Sequence, residues 1–313
     1  MRNTINNFVF GNRYNWSDPF TIVIDTRNIS TGSSAANQFL YPQDPNALDG
    51  YIDFLVDWGD GEFSRIQNKA DARIPHTYQV PGIYVLNFYK PKGKTIYISP
   101  RYENNEAERL KLIKVLRWGS FDITRGSFWG CVNLDLSQVE GDFSTYRTCE
   151  SLFRGAGSQT IKTLDTMQFR GGTVSSVFAG MPEFNQQFIF NLPNATVLLA
   201  TFIECTKFNS KINFIAPNLT SLTRVFEGCS LFNQDISTWF DWTKITNLTD
   251  IMRRKSSANY NPQYYDNLLI ALDAGGQTNV PLGMGSIKHT SVGSSAKNNL
   301  LAKGWTITDG GMI

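Results

Sequence analysis

The sequence is short of charge, of histidine and of cysteine, and each shortage narrows the functions open to it. Asp, Glu, Lys and Arg make up 18% of the 313 residues, and 29 basic side chains nearly balance 27 acidic ones, for a net charge of +2. A chain this close to neutral has no broad field to gather a polyanion, so no nucleic-acid partner is expected. The densest basic run, Arg253-Arg254-Lys255, reads as a solvated surface patch. The two histidines, His76 and His289, stand far apart in the chain. A zinc site or a Ser-His-Asp triad would have to be assembled around His289 from the Ser/Gly-rich stretch "GSIKHTSVGSS" (285–295), and no such arrangement is expected. The four cysteines form no Cys-x-x-Cys pair, and the nearest two are Cys131 and Cys149. They therefore read as small buried hydrophobes rather than as ligands or nucleophiles. Cys205 and Cys229 are placed to lie near one another, which leaves a disulfide open without requiring it.

Long apolar runs are also missing. No stretch reaches the roughly 20 residues that span a bilayer. The first residues, "MRNTINNFVFGNRYNWSDPF", lack the apolar run and small-residue cleavage site of a secretory signal. No membrane insertion is expected. The expectation is synthesis in the cytoplasm, with export, if any, as part of a larger particle. "GGQTNVPLGMGS" (275–286) is glycine-rich but lacks the Gly-Lys-Ser/Thr ending of a phosphate loop, so no cofactor is expected. A glycosidase-type pair of carboxylates has no local signal among the 27 acids, although sequence alone leaves open which of them meet.

What is present is aromatic and turn-rich: 22 Phe, 12 Tyr and 7 Trp, with 25 Gly and 12 Pro. Such a composition suits β-structure. "FTIVID" (20–25), "GYIDFLVDWGDG" (50–61), "GIYVLNFYK" (82–90) and "KTIYIS" (94–99) read as strands separated by turns, which predicts a sandwich over residues 18–100. In the second strand Ile52, Phe54 and Val56 share one face. Gly59 and Gly61 flank Asp60 because a tight turn needs positive φ or close backbone approach. Asp57, Asp60 and Glu62 read as turn caps and solvated carboxylates rather than a calcium cage, which needs six or more oxygens. His76 reads as structural.

"VDWGDGEFS" followed by "HTYQVPGIYVLNFY" resembles the polycystic kidney disease (PKD) domain. Trp58, Gly59, Asp60 and Gly61 match its Trp-Gly-Asp-Gly turn, and His76, Tyr78, Gly82 and Tyr84 match its His-x-Tyr-x-x-x-Gly-x-Tyr segment. The resemblance implies an immunoglobulin-like β-sandwich of the kind found in surface proteins. Segment 29–49 is longer than the loop that the resemblance leads one to expect.

From about residue 123 the chain repeats. Large apolar anchors stand at Phe128, Phe153, Phe178, Phe202, Phe226 and Met252, at steps of 25, 25, 24, 24 and 26 residues. That period marks a solenoid. Three residues after each of the first five come Cys131, Ala156, Met181, Cys205 and Cys229. Six after come Leu134, Phe184, Phe208 and Phe232, with Gln159 the exception, and seven after, in three of the units, Asn185, Asn209 and Asn233. Four before come Thr124, Cys149, Val174, Leu198, Leu222 and Leu248. Spacing of −4, 0 and +3 predicts one face of a short helix or helical turn in each unit. "NLDLSQV" (133–139), "QQFIFNLPN" (186–194) and "SKINFIAPN" (210–218) predict the alternating strands. Triplets such as Asn218-Leu219-Thr220 recur with the repeat and read as turn chemistry at unit edges.

"VFEGCSLFNQDIS" (225–237) and "TFIECTKFNSKIN" (201–213) resemble units of the BspA-type leucine-rich repeat family, over roughly residues 108–311. Its members are mostly bacterial surface or adhesion proteins, and similar modules occur in phage-encoded proteins. The expected organisation is an N-terminal docking arm (1–17), a PKD-like β-sandwich (18–100), a bridge and N-terminal solenoid cap (101–122), BspA-type repeats (123–260) and a C-terminal cap (261–313). The expected fold class is therefore two-domain, an immunoglobulin-like sandwich followed by a leucine-rich-repeat-like β/α solenoid. With no catalytic, cofactor or metal residues singled out, the expectation is a non-enzymatic structural protein of a phage virion: a capsid decoration, head fibre or tail-associated protein. Its partners would be other structural proteins of the particle, engaged through the aromatic arm of Phe8, Phe10, Tyr14 and Trp16. The alternatives are a carbohydrate- or host-surface-binding adhesion module of a bacterial cell surface and, further off, a polysaccharide-active enzyme.

Overall fold

Alternating apolar residues build the first sheet. The computed structural model describes residues 15–41, 52–72, 75–94, 96–98, 106–123, 127–141 and 149–313. Strands β1 (Phe20–Asp25), β2 (Gln38–Phe39), β3 (Phe54–Asp57) and β4 (Phe63–Ile66) precede a one-turn helix, α1 (Lys69–Ala72). Next come β5 (His76–Thr77), β6 (Ile83–Tyr89), β7 (Tyr97–Ile98), β8 (Leu112–Arg117) and β9 (Asp122–Ile123). Five of them form one sheet in the order β4-β3-β6-β1-β8, antiparallel throughout. Ile52, Phe54 and Val56 are buried as the alternation requires, and Leu55 is buried as well, so β3 is covered on both faces. On β6, Leu86 and Phe88 point into the core while Ile83 and Val85 are exposed. β2 pairs with β5 outside this sheet.

Two strands differ from the sequence reading. "KTIYIS" does not close the five-stranded set, because its β7 runs parallel to β9. The fifth strand is β8, from the stretch read as a lead-in to the repeats. It pairs with β1 on one side, while Lys114 and Arg117 bridge in parallel to Asp135 and Glu140 on the other. β8 is thus both a strand of the sheet and the first rung of the stack. Of the N-terminal arm, residues 1–14, with Phe8, Phe10 and Tyr14, lie outside the described residues. Asn15, Trp16 and Ser17 run antiparallel to Lys90–Lys92, and Trp16 is buried.

The repeats stack as parallel rungs. β10 (Thr173–Ser175), β12 (Val197–Leu199) and β14 (Ser221–Thr223) form one parallel sheet. β11 (Phe188–Asn191) and β13 (Ile212–Ile215) form another, each residue facing the one 24 positions on. The anchor segments are turns, not helices, and Val174, Leu198 and Leu222, read as helical, sit in β10, β12 and β14. The reason lies in the backbone. Two residues before five of the six anchors, Ser151, Ser176, Ala200, Arg224 and Asp250 have φ of 50–55°. Two residues after, Gly130, Gly155, Gly180, Glu204, Gly228 and Arg254 have φ of 59–73°. Left-handed residues on both sides of the anchor break an α-helix. The backbone N–H groups turn outward along the stack instead. Ala200, Phe202 and Glu204 donate to the carbonyls of Thr223, Val225 and Glu227, and Arg224, Phe226 and Gly228 to those of Thr249, Ile251 and Arg253.

Side chains repeat the same step. Phe128, Phe153, Phe178, Phe202 and Phe226 are fully buried and stack ring on ring at 5.2–6.0 Å. A second column runs through Phe184, Phe208 and Phe232 at 5.8 Å. At one end Trp118 meets Phe128 edge-on at 5.7 Å. At the other end lie α2 (Pro262–Gly275), β15 (Pro281–Gly283), α3 (Ser291–Ala302) and β16 (Thr306–Thr308). Asn261 and Thr290 cap the two helices through their side chains. The Ser/Gly-rich stretch 285–295 thus contains the start of α3. The chain is β-rich with few helices, and no helix among the described residues is long and apolar enough to cross a membrane.

Candidate functional site

The turn after β3 gathers residues from both halves of the Trp-Gly-Asp-Gly…His-x-Tyr pattern. Gly59 has φ 80°, and a Cβ there would lie 2.5 Å from the Val85 carbonyl oxygen. Replacing Gly59 with alanine should therefore cost about 2 kcal/mol or more, from strain and backbone collision together. Urea unfolding checks this, with Gly61→Ala, where a Cβ meets nothing within 4 Å, as the milder comparison. The Asp60 Oδ1 accepts from the Glu62 N–H at 3.0 Å, as a turn cap should. Its Oδ2 lies 2.7 Å from His76 Nε2. The His76 ring stacks on Trp58 at 4.5 Å with 2° between planes and meets Tyr78 edge-on. Tyr78 donates to the Trp58 carbonyl, and Trp58 Nε1 donates to Ser64. One ligand atom each from Asp60, Glu62 and His76 lies within 4.8 Å of the others. The sequence reads these residues as turn caps and a structural histidine; the stacking of His76 on Trp58 and its contact with Asp60 bring them together.

The cysteines take the structural role expected of them. All four are buried and free. Cys205 Sγ donates to the Phe178 carbonyl at 2.9 Å and Cys229 Sγ to that of Phe202 at 2.8 Å. Burial pushes the thiols of Cys131, Cys149 and Cys229 up to about 12, and that of Cys205 well above the ordinary value of 9.0. Unfolded thiols ionise first, so the stability these groups contribute is whole below about pH 9 and is lost as pH rises through 12. Urea midpoints measured across that range should fall. Thiol reagents should label none of the four in the native chain and all of them in denaturant.

The basic run 253–255 divides, which corrects the reading of a solvated patch. Arg253 and Arg254 are exposed, and Lys255 is 1% exposed. Lys255 occupies the position that cysteine holds in three earlier units, and its ammonium donates to the carbonyls of Cys229, Ser230 and Asn259. Burial lowers its pKa to about 8. The two arginines bind acids of neighbouring units. Arg254 pairs with Glu204, and both approach Oε1 of the buried Glu227, at 3.6 Å from Arg254 and 3.8 Å from Arg253. Arg224 takes the other oxygen of Glu227. Glu204 and Glu227 are the carboxylates of three successive turns' ion pairs, a clamp between units.

The outward edge of the stack is polar and regular. Asn185, Asn209 and Asn233 are exposed, and each side-chain oxygen accepts a backbone N–H of the following unit, from Asn209, Asn233 and Asn261, at 2.8–2.9 Å. Their Nδ2 groups donate to no residue among those described. The Asn-x-Thr edges act likewise: Asn218 Nδ2 donates to the Pro193 carbonyl, and Thr220 Oγ1 to that of Thr196. His289 is buried, with Nδ1 2.9 Å from the Thr290 carbonyl.

A family model described as "Mycoplasma protein of unknown function, DUF285" matches residues 147–265. No curated protein and no solved structure matches the chain significantly. The matched stretch covers the turns from Cys149 onward, both phenylalanine columns from Phe153 to Phe232 and the first residues of α2.

Proposed function

We propose that the chain is a non-enzymatic structural and interaction protein of a phage virion, built as a PKD-like β-sandwich that leads into a BspA-type repeat solenoid. The observation that carries this reading is the direction in which its polar groups work. Thiols and the ammonium of Lys255 bind neighbouring units, and the buried carboxylate of Glu227 faces the arginines of the next one. The outward edge presents the same carboxamide at one interval, unit after unit. Such a stack is a spacer and an extended contact face. β8 supports the role, since it welds the first sheet to the stack and lets load pass through backbone hydrogen bonds. Gradient-purified particles examined by mass spectrometry test the reading. The chain should copurify in fixed proportion to known particle proteins; recovery only from the soluble lysate would overturn it.

A second reading, binding to a surface glycan, is favoured by the free Nδ2 donors of Asn185, Asn209 and Asn233. Amides at regular spacing suit a hydroxyl-bearing polymer. The folded chain should retain glycans on a broad array, and a blank array would remove this reading.

A further inference from the structure

We propose that Asp60, Glu62 and His76 form a binding site for a divalent transition-metal ion, independent of the role assigned to the repeats. The geometry comes first. Three donors that each sit about 2.1 Å from one ion are at most about 4.2 Å apart. Here the three candidate ligand atoms already lie within 4.8 Å of one another, so small side-chain rotations complete the approach. Two of the three donors are also held in place. The His76 ring is fixed between the face of Trp58 and the edge of Tyr78. Asp60 is fixed through Oδ1 by the Glu62 N–H, which leaves Oδ2 directed at His76 Nε2. Turn capping and metal binding thus use different oxygens of one carboxylate.

The charge at the site is unbalanced. Glu62 makes no side-chain hydrogen bond or ion pair among the described residues, and Asp57 and Asp60 have no Lys or Arg partner there. Asp57 is occupied by the Gly59 N–H and by Asn87. A bound dication offsets this charge and gives Glu62 its partner. The donor set selects the ion. One imidazole nitrogen with two carboxylates suits zinc, cobalt or nickel, whereas calcium and magnesium favour all-oxygen sites. With Asp60 and Glu62 exposed, three protein ligands leave the remaining positions to water.

The test uses the full chain, freed of metal with a chelator, and the metal alone. Calorimetry with zinc chloride should show one saturable site. Glu62→Gln removes a side chain with no internal partner, so the fold should persist while affinity falls at least about tenfold; His76→Gln should do the same. Histidine proton NMR with cobalt(II) locates the ion, because the chain has only two histidines. His76 signals should shift or broaden, and those of the buried His289 should stay unchanged. No binding up to about 1 mM zinc, affinity unaltered by Glu62→Gln, or cobalt acting on His289 as strongly as on His76 would each overturn the proposal.

Discussion

Phe226→Ala should destabilise the chain by about 3–5 kcal/mol, the range for truncating a buried phenylalanine. The size of the effect follows from its neighbours. Phe226 stacks on Phe202 at 5.7 Å and on Phe232 at 4.2 Å, and meets Trp239 edge-on at 6.1 Å. Its removal opens a void that touches both columns. The backbone turns on either side hold αL geometry at Arg224 and Gly228 and resist collapse into that void. Leu231→Ala, five residues on and 58% exposed, should change stability by less than about 0.5 kcal/mol. Denaturant unfolding of the two variants gives the comparison. Equal effects would mean that the column does not bear the stack.

The second large effect is expected at the buried pair Glu108 and Lys111, whose side chains are both 0% exposed. Lys111 Nζ lies 3.2 Å from Glu108 Oε1 and within 3.1 Å of the carbonyls of Ser34, Ala35 and Gln38. Glu108 accepts from Ser34 N–H and Oγ and from Leu40 N–H. The pair therefore pins residues 34–40 to the base of β8. Burial lowers the Lys111 pKa, and the Glu108 charge opposes that shift. Lys111→Met alone should cost about 3–5 kcal/mol, since it leaves a carboxylate buried without its cation. The double variant Glu108→Leu/Lys111→Met should recover part of the loss, because the desolvation of both charges disappears together. A double-mutant cycle in denaturant reads the coupling, and limited proteolysis reads release of residues 34–40. A purely additive cycle would contradict the pairing.

Much of this was open to inspection in the sequence, and the exceptions have physical causes. The anchors from Phe128 to Met252 announced their period because burial selects one side-chain size at one position. The extended pieces at 186–194 and 210–218 became β11 and β13 for the same reason. The helix expected around each anchor failed because −4, 0 and +3 also describes a strand residue followed by a tight turn. Glycine supplies the positive φ at +2 in four units, but Ser151, Ser176, Ala200, Arg224 and Asp250 take the same conformation without any compositional sign. Lys255 was misplaced because its neighbours are exposed, whereas its own position inherits the inward direction of Cys229. Glu108 and Lys111 carried no signal at all, since their partners in 34–40 come from a distant loop. The convergence of Glu62 with His76 escaped for a similar reason: it depends on the packing of His76 and Tyr78 against Trp58 rather than on spacing.

Imaging of intact particles decides whether the chain works, as proposed, as an attached spacer and contact face. Particle-bound density should fit the five-stranded sheet joined through β8 to the stacked rungs, with the Asn185–Asn209–Asn233 edge facing a neighbour or the exterior. Particles that lack such density while the chain accumulates free in the lysate would contradict it.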